Sequence, residues 1–433
     1  MERELNLLID SAQGRRNPLL LAILSVIVGA ISGLVGAAFR LGLQRADDLR
    51  NSIAQWAHGY GVAGFFLVLT GTALAAGVAA WMVARFSPES GGSGIPHIEN
   101  QLKKRWSGDP ARIAPVKFVG GILAIGSGLV LGREGPTVHI GASIGHLLAK
   151  ISRCNEYESR VLLAAGAGAG LATAFNAPIA GAVFVLEELV GVFDMDVTIA
   201  TIGASTGAIS FARVFLGQTT DFHVAPLDFP GFGSIPAYVV LGILLGLLGV
   251  LYNRAILSAL AFSAKLTMIR VEWRAALIGA AIGVLSWFLP GLVGGGDSIT
   301  QQVLSGNAVF STLVAAFLLR FVIGPVSYAA RTPGGLFAPL LTLGSQAGLF
   351  FGILWCRWLN AYGLQPREFA LVGMAAFFGA VVRSPITGII LIVELTGSSN
   401  YFLAMLGATF ASVTVATLLK DLPIYDALRE FSD

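Results

Sequence analysis

Apolar runs close to the length of a bilayer core recur along this chain from end to end: Leu19–Leu34, Phe65–Met82, Tyr238–Leu251 and Phe402–Leu419. As a helix, a segment of about 20 such residues crosses the hydrocarbon core, where no water remains to satisfy backbone N–H and C=O groups. Runs of this kind, repeated this often, point to an all-α polytopic membrane protein with one membrane domain filling nearly all of the chain. Charge agrees: Asp, Glu, Lys and Arg make up 12% of the 433 residues, against roughly a quarter in soluble domains.

The first eighteen residues contain Glu2, Arg3, Glu4, Asp10, Arg15 and Arg16, too charged for the apolar centre of a signal peptide, so no cleaved leader is expected. Arg15 and Arg16 stand just before the first apolar run, which by the positive-inside rule puts the N-terminus in the cytoplasm. Two cysteines, Cys154 and Cys356, are too few for a disulfide framework and read as small apolar fillers. A net charge of +3 specifies no partner, and nothing here reads as a nucleic-acid site.

The chain also repeats itself. Lys117-Phe118-Val119 returns as Arg320-Phe321-Val322, and Gly121, Gly132, Pro136, Gly141 and Gly145 return as Gly324, Gly335, Pro339, Gly344 and Gly348, all 203 residues on. After four inserted residues, Gly166, Pro178, Ile179, Gly181 and Glu187 correspond to Gly373, Pro385, Ile386, Gly388 and Glu394 at an offset of 207. Two halves therefore share one glycine and proline skeleton. This divides the chain into residues 1–18, a first membrane repeat 19–216, a linker 217–235, a second repeat 236–420 and a terminal segment 421–433. Repeated membrane units with broken helices are typical of secondary transporters, whose substrate sits at the repeat interface. Whether the repeats are parallel or inverted does not follow from the pattern.

Three breaks carry the chemistry: Gly92-Ser93-Gly94-Ile95-Pro96, Gly132-Arg133-Glu134-Gly135-Pro136 and Gly335-Leu336-Phe337-Ala338-Pro339. Glycine lets the backbone turn sharply, and proline suits a first helical turn whose N–H groups have no intrahelical partner. Each break thus predicts a helix N-terminus, which carries about half a positive charge and up to four free N–H groups. Such an end can hold an anion without a full cation, and so can also release it.

Those three motifs, in this order and spacing, resemble the signature of the CLC chloride channel and transporter family, with similarity running from about Pro18 to Tyr425. The resemblance implies an inverted repeat of tilted and broken helices, a homodimer with one anion pathway per subunit, no cofactor, and a place in the cell inner membrane with both termini cytoplasmic. By motif position, Ser93 supplies a hydroxyl to the central anion, the N–H groups at Leu336, Phe337 and Ala338 supply further donors, Gly135 lies beside them, and Tyr425 caps the inner end. Serine in the first motif is the chloride-type choice. Glu134 falls where the family has its gating glutamate, and Glu188 where many exchangers have an internal proton glutamate. The function this implies is exchange of chloride for protons; the alternative is a passive chloride channel on the same fold.

An ionisable residue at membrane depth is costly, so Glu134 is read as functional. Arg133 beside it either balances charge or draws anions to the mouth. Glu187, with its counterpart Glu394, reads as a helix-end ligand shared by both repeats, and Arg331 and Arg383 as loop or ion-pair residues. Gly141-Ala-Ser143-Ile-Gly145 and Gly203-Ala-Ser205-Thr-Gly207 fit a hydrolase nucleophile pattern but lack its strand-turn-helix setting, and small residues four apart suit helix packing better. An intramembrane hydrolase using Ser143 or Ser93 with His139 or His97 is the reading of a different class. The five histidines show no ligand spacing, so no metal site is expected.

Overall fold

Helices begin where the glycine-rich breaks end. The computed structural model describes residues 18–103, 108–225, 231–306, 310–359 and 363–432; most of the N-terminal segment, on which the absent leader and the two flanking arginines were read, lies outside them. The first half contains α1 (Pro18–His58), α2 (Gly61–Phe86), α3 (Ile95–Lys103), α4 (Pro110–Gly126), α5 (Glu134–Ile151), α6 (Glu156–Phe175), α7 (Pro178–Phe184) and α8 (Met195–Leu216). The second contains α9 (Ile235–Lys265), α10 (Val271–Phe288), α11 (Asp297–Leu304), α12 (Phe310–Tyr328), α13 (Phe337–Leu359), α14 (Pro366–Val382), α15 (Pro385–Thr396) and α16 (Phe402–Leu418), followed by α17 (Ile424–Ser432). Seven helices among the described residues are long and apolar enough to cross a membrane.

The two halves follow one order of long and short helices, and the shared glycines explain why. With no hydrophobic drive between helices in lipid, association depends on close packing of small residues. A Cβ on Gly141 in α5 would lie 2.1 Å from the Gly166 carbonyl oxygen in α6, and one on Gly166 equally close to that of Gly141. Their counterparts Gly344 and Gly373 join α13 to α14 in the same way, at 2.6 and 2.4 Å. These approaches account for the Gly141–Gly145 pattern as a packing face. Helices α6 and α14 run through the centre, with Val161–Phe175 and Glu368–Val382 buried throughout.

Repeat symmetry appears as reciprocal bonds. Gly132 N–H donates to Gly335 O at 2.8 Å and Gly335 N–H to Gly132 O at 2.7 Å, an antiparallel bridge between residues that are each other's repeat counterparts. Glu187 accepts from Ile386 N–H at 3.0 Å and Thr387 N–H at 2.7 Å, while Glu394 accepts from Ile179 N–H at 3.1 Å and Ala180 N–H at 2.7 Å. Each glutamate caps the helix that begins the other half's equivalent element, α15 or α7, as the pairing of Glu187 with Glu394 implies. A two-fold relation generates such exchanges, and the helices that leave the Gly132–Gly335 bridge, α5 and α13, depart from a common meeting point at their N-termini. The repeats are related by a two-fold.

The lead signal of the repeat, Lys117 against Arg320, has the same explanation. Both side chains are fully buried. Lys117 Nζ donates to Gly92 O at 2.7 Å, and Arg320 Nη2 to Gly295 O at 2.8 Å. Gly92 and Gly295 are again 203 apart. In each half a buried basic side chain on the fourth helix fixes the loop before the third, because a buried polar group must be satisfied by hydrogen-bond acceptors.

Candidate functional site

Backbone hydrogen bonds sew the three breaks together. Beside the Gly132–Gly335 bridge, Gly92 N–H donates to Thr332 O at 3.1 Å and Gly334 N–H to Gly92 O at 3.0 Å. Gly92 and Gly94 take φ of +60° and +85°, a region that favours glycine. Gly135 lies so close that a Cβ on it would meet Ser93 Cα at 2.8 Å and Gly335 Cα at 3.0 Å. The N-terminal ends of α3, α5 and α13 therefore converge on one buried point.

Glu134 occupies that point. It is fully buried, and its Oε1 accepts the Phe337 N–H at 2.6 Å, with the Ala338 N–H also directed at it. The carboxylate is walled by bare glycine backbone, since a Cβ on Gly132 or Gly335 would fall 2.1 or 2.4 Å from Oε1. A carboxylate oxygen thus sits on the N-terminus of α13, in a cradle sized for a small anion. Its Oε2 has no protein partner.

Ser93, 1% exposed, is held from both sides. Its N–H donates to Tyr328 Oη at 3.3 Å, and its Oγ accepts the Ile95 N–H at 3.3 Å, which leaves the hydroxyl proton to donate elsewhere. Tyr425 is buried on α17 with no partner for its hydroxyl, and Tyr328, Glu134, Glu188 and Glu99 all lie within electrostatic range of it. Its ring and those of Phe175, Phe184 and Phe378 surround Phe337, the nearest at 4.7 Å between centroids. Leu336 is fully buried just before α13.

Glu188 stands apart from this cradle. It lies in a π-helical turn, Val185–Val190, that continues α7, and its Oε2 accepts from the Ser384 hydroxyl at the start of α15. Glu99 and Asp426 are its charged neighbours, and both are bonded to Arg429, at 2.8 and 2.6 Å. The extra residue of a π-turn lets adjacent Glu187 and Glu188 point to different tasks, one capping α15 and one facing the ionic cluster.

Two cavities flank the convergence. One of about 480 Å³ is lined by Ser93, Gly94, His97, Tyr328, Arg331 and Arg429 among others; the other, about 240 Å³, by Arg40, Gly132, Arg133, Asp221, Asp297 and Ala338 among others. Arg133 Nη1 and Nη2 donate to Asp297 at 2.9 Å and Asp221 at 2.8 Å, so it balances charge, and it does so while lining the cavity. Arg383 pairs with Asp421 at 3.8 Å.

Forty-two residues apart in the chain, His97 and His139 meet, with His97 Nδ1 3.0 Å from His139 Nε2 and Gln101 bonded to the other side of His97. The turn at Gly94 brings α3 against α5, a tertiary contact that local spacing could not reveal. Among the described residues no three His, Cys, Asp or Glu side chains converge as metal ligands. Ser143 Oγ donates to the His139 main-chain oxygen at 2.8 Å, not to its imidazole, so the serine–histidine pair of a hydrolase is not formed there. Tyr328, which holds the Ser93 amide, carries no local signal in the sequence, being a lone tyrosine at the end of an apolar helix.

A model of the family described as voltage gated chloride channel matches residues 73–417. A Vibrio cholerae serotype O1 (strain M66-2) protein called H(+)/Cl(-) exchange transporter ClcA is 36% identical over 429 residues, covering 95% of this chain and 90% of its own. Its namesake from Yersinia pestis bv. Antiqua (strain Angola) is 34% identical over 429 residues, covering 95% and 88%. Among solved structures, that of a slow cyanobacterial Cl-/H+ antiporter superposes with a TM-score of 0.92 at 31% identity, covering 95% of this chain and 97% of the other.

Proposed function

This chain belongs to the voltage-gated chloride channel (CLC) family, and from that premise we propose that it is a secondary active antiporter exchanging chloride for protons across a membrane. The observation that carries the reading is the Glu134 carboxylate seated on the Phe337 N–H at 2.6 Å. A group that occupies an anion's donors when charged, and has no reason to stay when neutral, makes the carboxylate and an anion alternatives at one point, so that proton uptake by Glu134 opens the site to the anion.

In this reading Ser93, Phe337, Ala338 and Tyr425 hold the central chloride, with Leu336 and Gly135 shaping the backbone around it. Glu134 gates that site and takes up the proton, Glu188 relays protons to the Ser93-side cavity, and Arg133 keeps the opposite mouth positive enough to admit anions. The protein acts as a homodimer in the cell inner membrane, with both termini in the cytoplasm. Residues 19–216 and 236–420 form its repeats, joined by 217–235, and 421–433 contributes Tyr425. The family relationship, the long apolar helices and the two cavities on either side of Glu134 support this assignment.

The deciding experiment places purified protein in liposomes under a chloride gradient. Protons should move uphill. Chloride flux without proton movement would make the protein a passive channel instead.

Selectivity gives a further expected result. Ser93→Pro removes both the hydroxyl and the N–H that meets Tyr328, so the nitrate-to-chloride preference should rise about 2- to 10-fold, the worth of one hydrogen bond. Unchanged relative fluxes of the two anions, with unchanged coupling, would remove this loop from the central site.

A further inference from the structure

The polar stretch after α8 is a strap rather than a free connection. Asn176 Nδ2 donates to Thr219 O at 3.0 Å, Phe222 N–H to Leu395 O at 3.0 Å, and the Gln301 side chain pairs with both main-chain groups of His223 at 2.9 Å. Tied to both halves, the strap carries Asp221 to the Arg133-side cavity. Asp221 Oδ1 accepts from Arg40 Nη2 at 2.5 Å, and Oδ2 from Arg133 Nη2 at 2.8 Å. Its side chain is 6% exposed. The way from this face to Glu134 runs past these groups, since the same cavity is lined by Gly132, Arg133 and Ala338.

The donors do not balance. Arg133 is fully engaged, with Nε on Ala174 O at 2.9 Å and its two Nη groups on Asp297 and Asp221. Arg40 spends only Nη2 on Asp221, while its Nε and Nη1 are buried with no protein partner. The other two acids lining the cavity already have partners: Asp47 is bonded at 2.7 Å to Arg50, and Asp297, half exposed, at 2.9 Å to Arg133. Two guanidiniums thus face one buried carboxylate across a cavity that an anion must use, with donor capacity left over.

We propose that Asp221 is a tethered stand-in for an anion at this mouth: chloride, or another small monovalent anion, binds between the Arg40 and Arg133 guanidiniums by exchanging places with its carboxylate. The mouth then repeats, ahead of Glu134, the competition of carboxylate and chloride that Glu134 performs in the cradle. Asp221 is seated when no anion is present, which keeps the paired guanidiniums from holding chloride too tightly to pass it on. This rests on the transport reading above.

The test measures chloride dependence of transport separately from each face of liposomes, together with bromide occupancy in crystals. For Asp221→Asn, apparent chloride affinity on the Arg133 face should rise roughly tenfold, the low end of what a focused charge does to local ion concentration. Affinity on the opposite face and the proton-to-chloride ratio should stay unchanged, and anomalous density for bromide should appear between Arg40 and Arg133. Arg40→Gln should lower affinity on the same face only. If both variants change neither face, or both faces alike, and merely melt at lower temperature, Asp221 is a static clamp for the strap and the proposal fails. Should Asp221→Asn not assemble, Arg40→Gln decides by the same one-face criterion. Absence of any chloride transport in the wild type would instead overturn the antiporter reading, while the bromide density still tests the mouth on its own.

Discussion

Glu134→Gln should abolish proton transport while chloride still crosses, and the remaining flux should no longer respond to pH. Glutamine matches the shape of a protonated glutamate but cannot ionise, so it has no charge to hold it on the Phe337 N–H. The charge-assisted bond there, worth roughly twice a neutral one, is lost, and the donors of α13 become available to an anion throughout the cycle. With no titrating group at the convergence of the three helix ends, no proton can be exchanged for chloride. The measurement is simultaneous chloride and proton flux from liposomes across a range of pH, with bromide occupancy of the cradle as the structural counterpart. Intact coupling in this variant would take Glu134 out of the mechanism altogether.

The second large effect is expected at Glu188. Glu188→Gln retains an oxygen to accept the Ser384 hydroxyl, so the turn Val185–Val190 should keep its geometry and chloride should still be transported. What disappears is the titrating site beside Glu99, Asp426 and Arg429. A chloride gradient should then drive no protons, because Glu99 and Asp426 are each bonded to Arg429 while Glu188 meets the neutral Ser384 hydroxyl and is the carboxylate of that cluster suited to carry a proton reversibly. The neighbouring residue provides the control. Glu187→Ala would remove the cap from the Ile386 and Thr387 N–H groups, costing about 0.5–2 kcal/mol of stability as loss of a helix cap does. It should melt earlier and still couple. If Glu188→Gln pumps normally while Glu187→Gln does not, the two adjacent glutamates have been assigned the wrong way round.

The particular residues show where sequence information stops. The membrane class, the two halves and the three helix starts at Ile95, Glu134 and Phe337 are properties of short stretches: apolar length, glycine and proline position, and a fixed offset. The helix-end duty of Glu187 and Glu394 was also legible, because a repeat forces both copies into equivalent surroundings. The two-fold relation of the repeats was not, since an offset counts residues and carries no placement in space; it took the reciprocal Gly132–Gly335 bridge to show it. Nor was the meeting of His97 with His139 legible, nor Tyr328 under Ser93, nor Asp221 between Arg40 and Arg133, contacts that span 42, 235, 181 and 88 residues. The sequence by itself determined which segments suit a bilayer and at which glycine–proline breaks helices begin, because these depend on local backbone preference and on the solvent a segment can tolerate. Which side chains share a cavity was decided only by the tertiary structure, since in a bilayer helices are placed by how closely their small residues pack, and that is settled jointly by all the helices together.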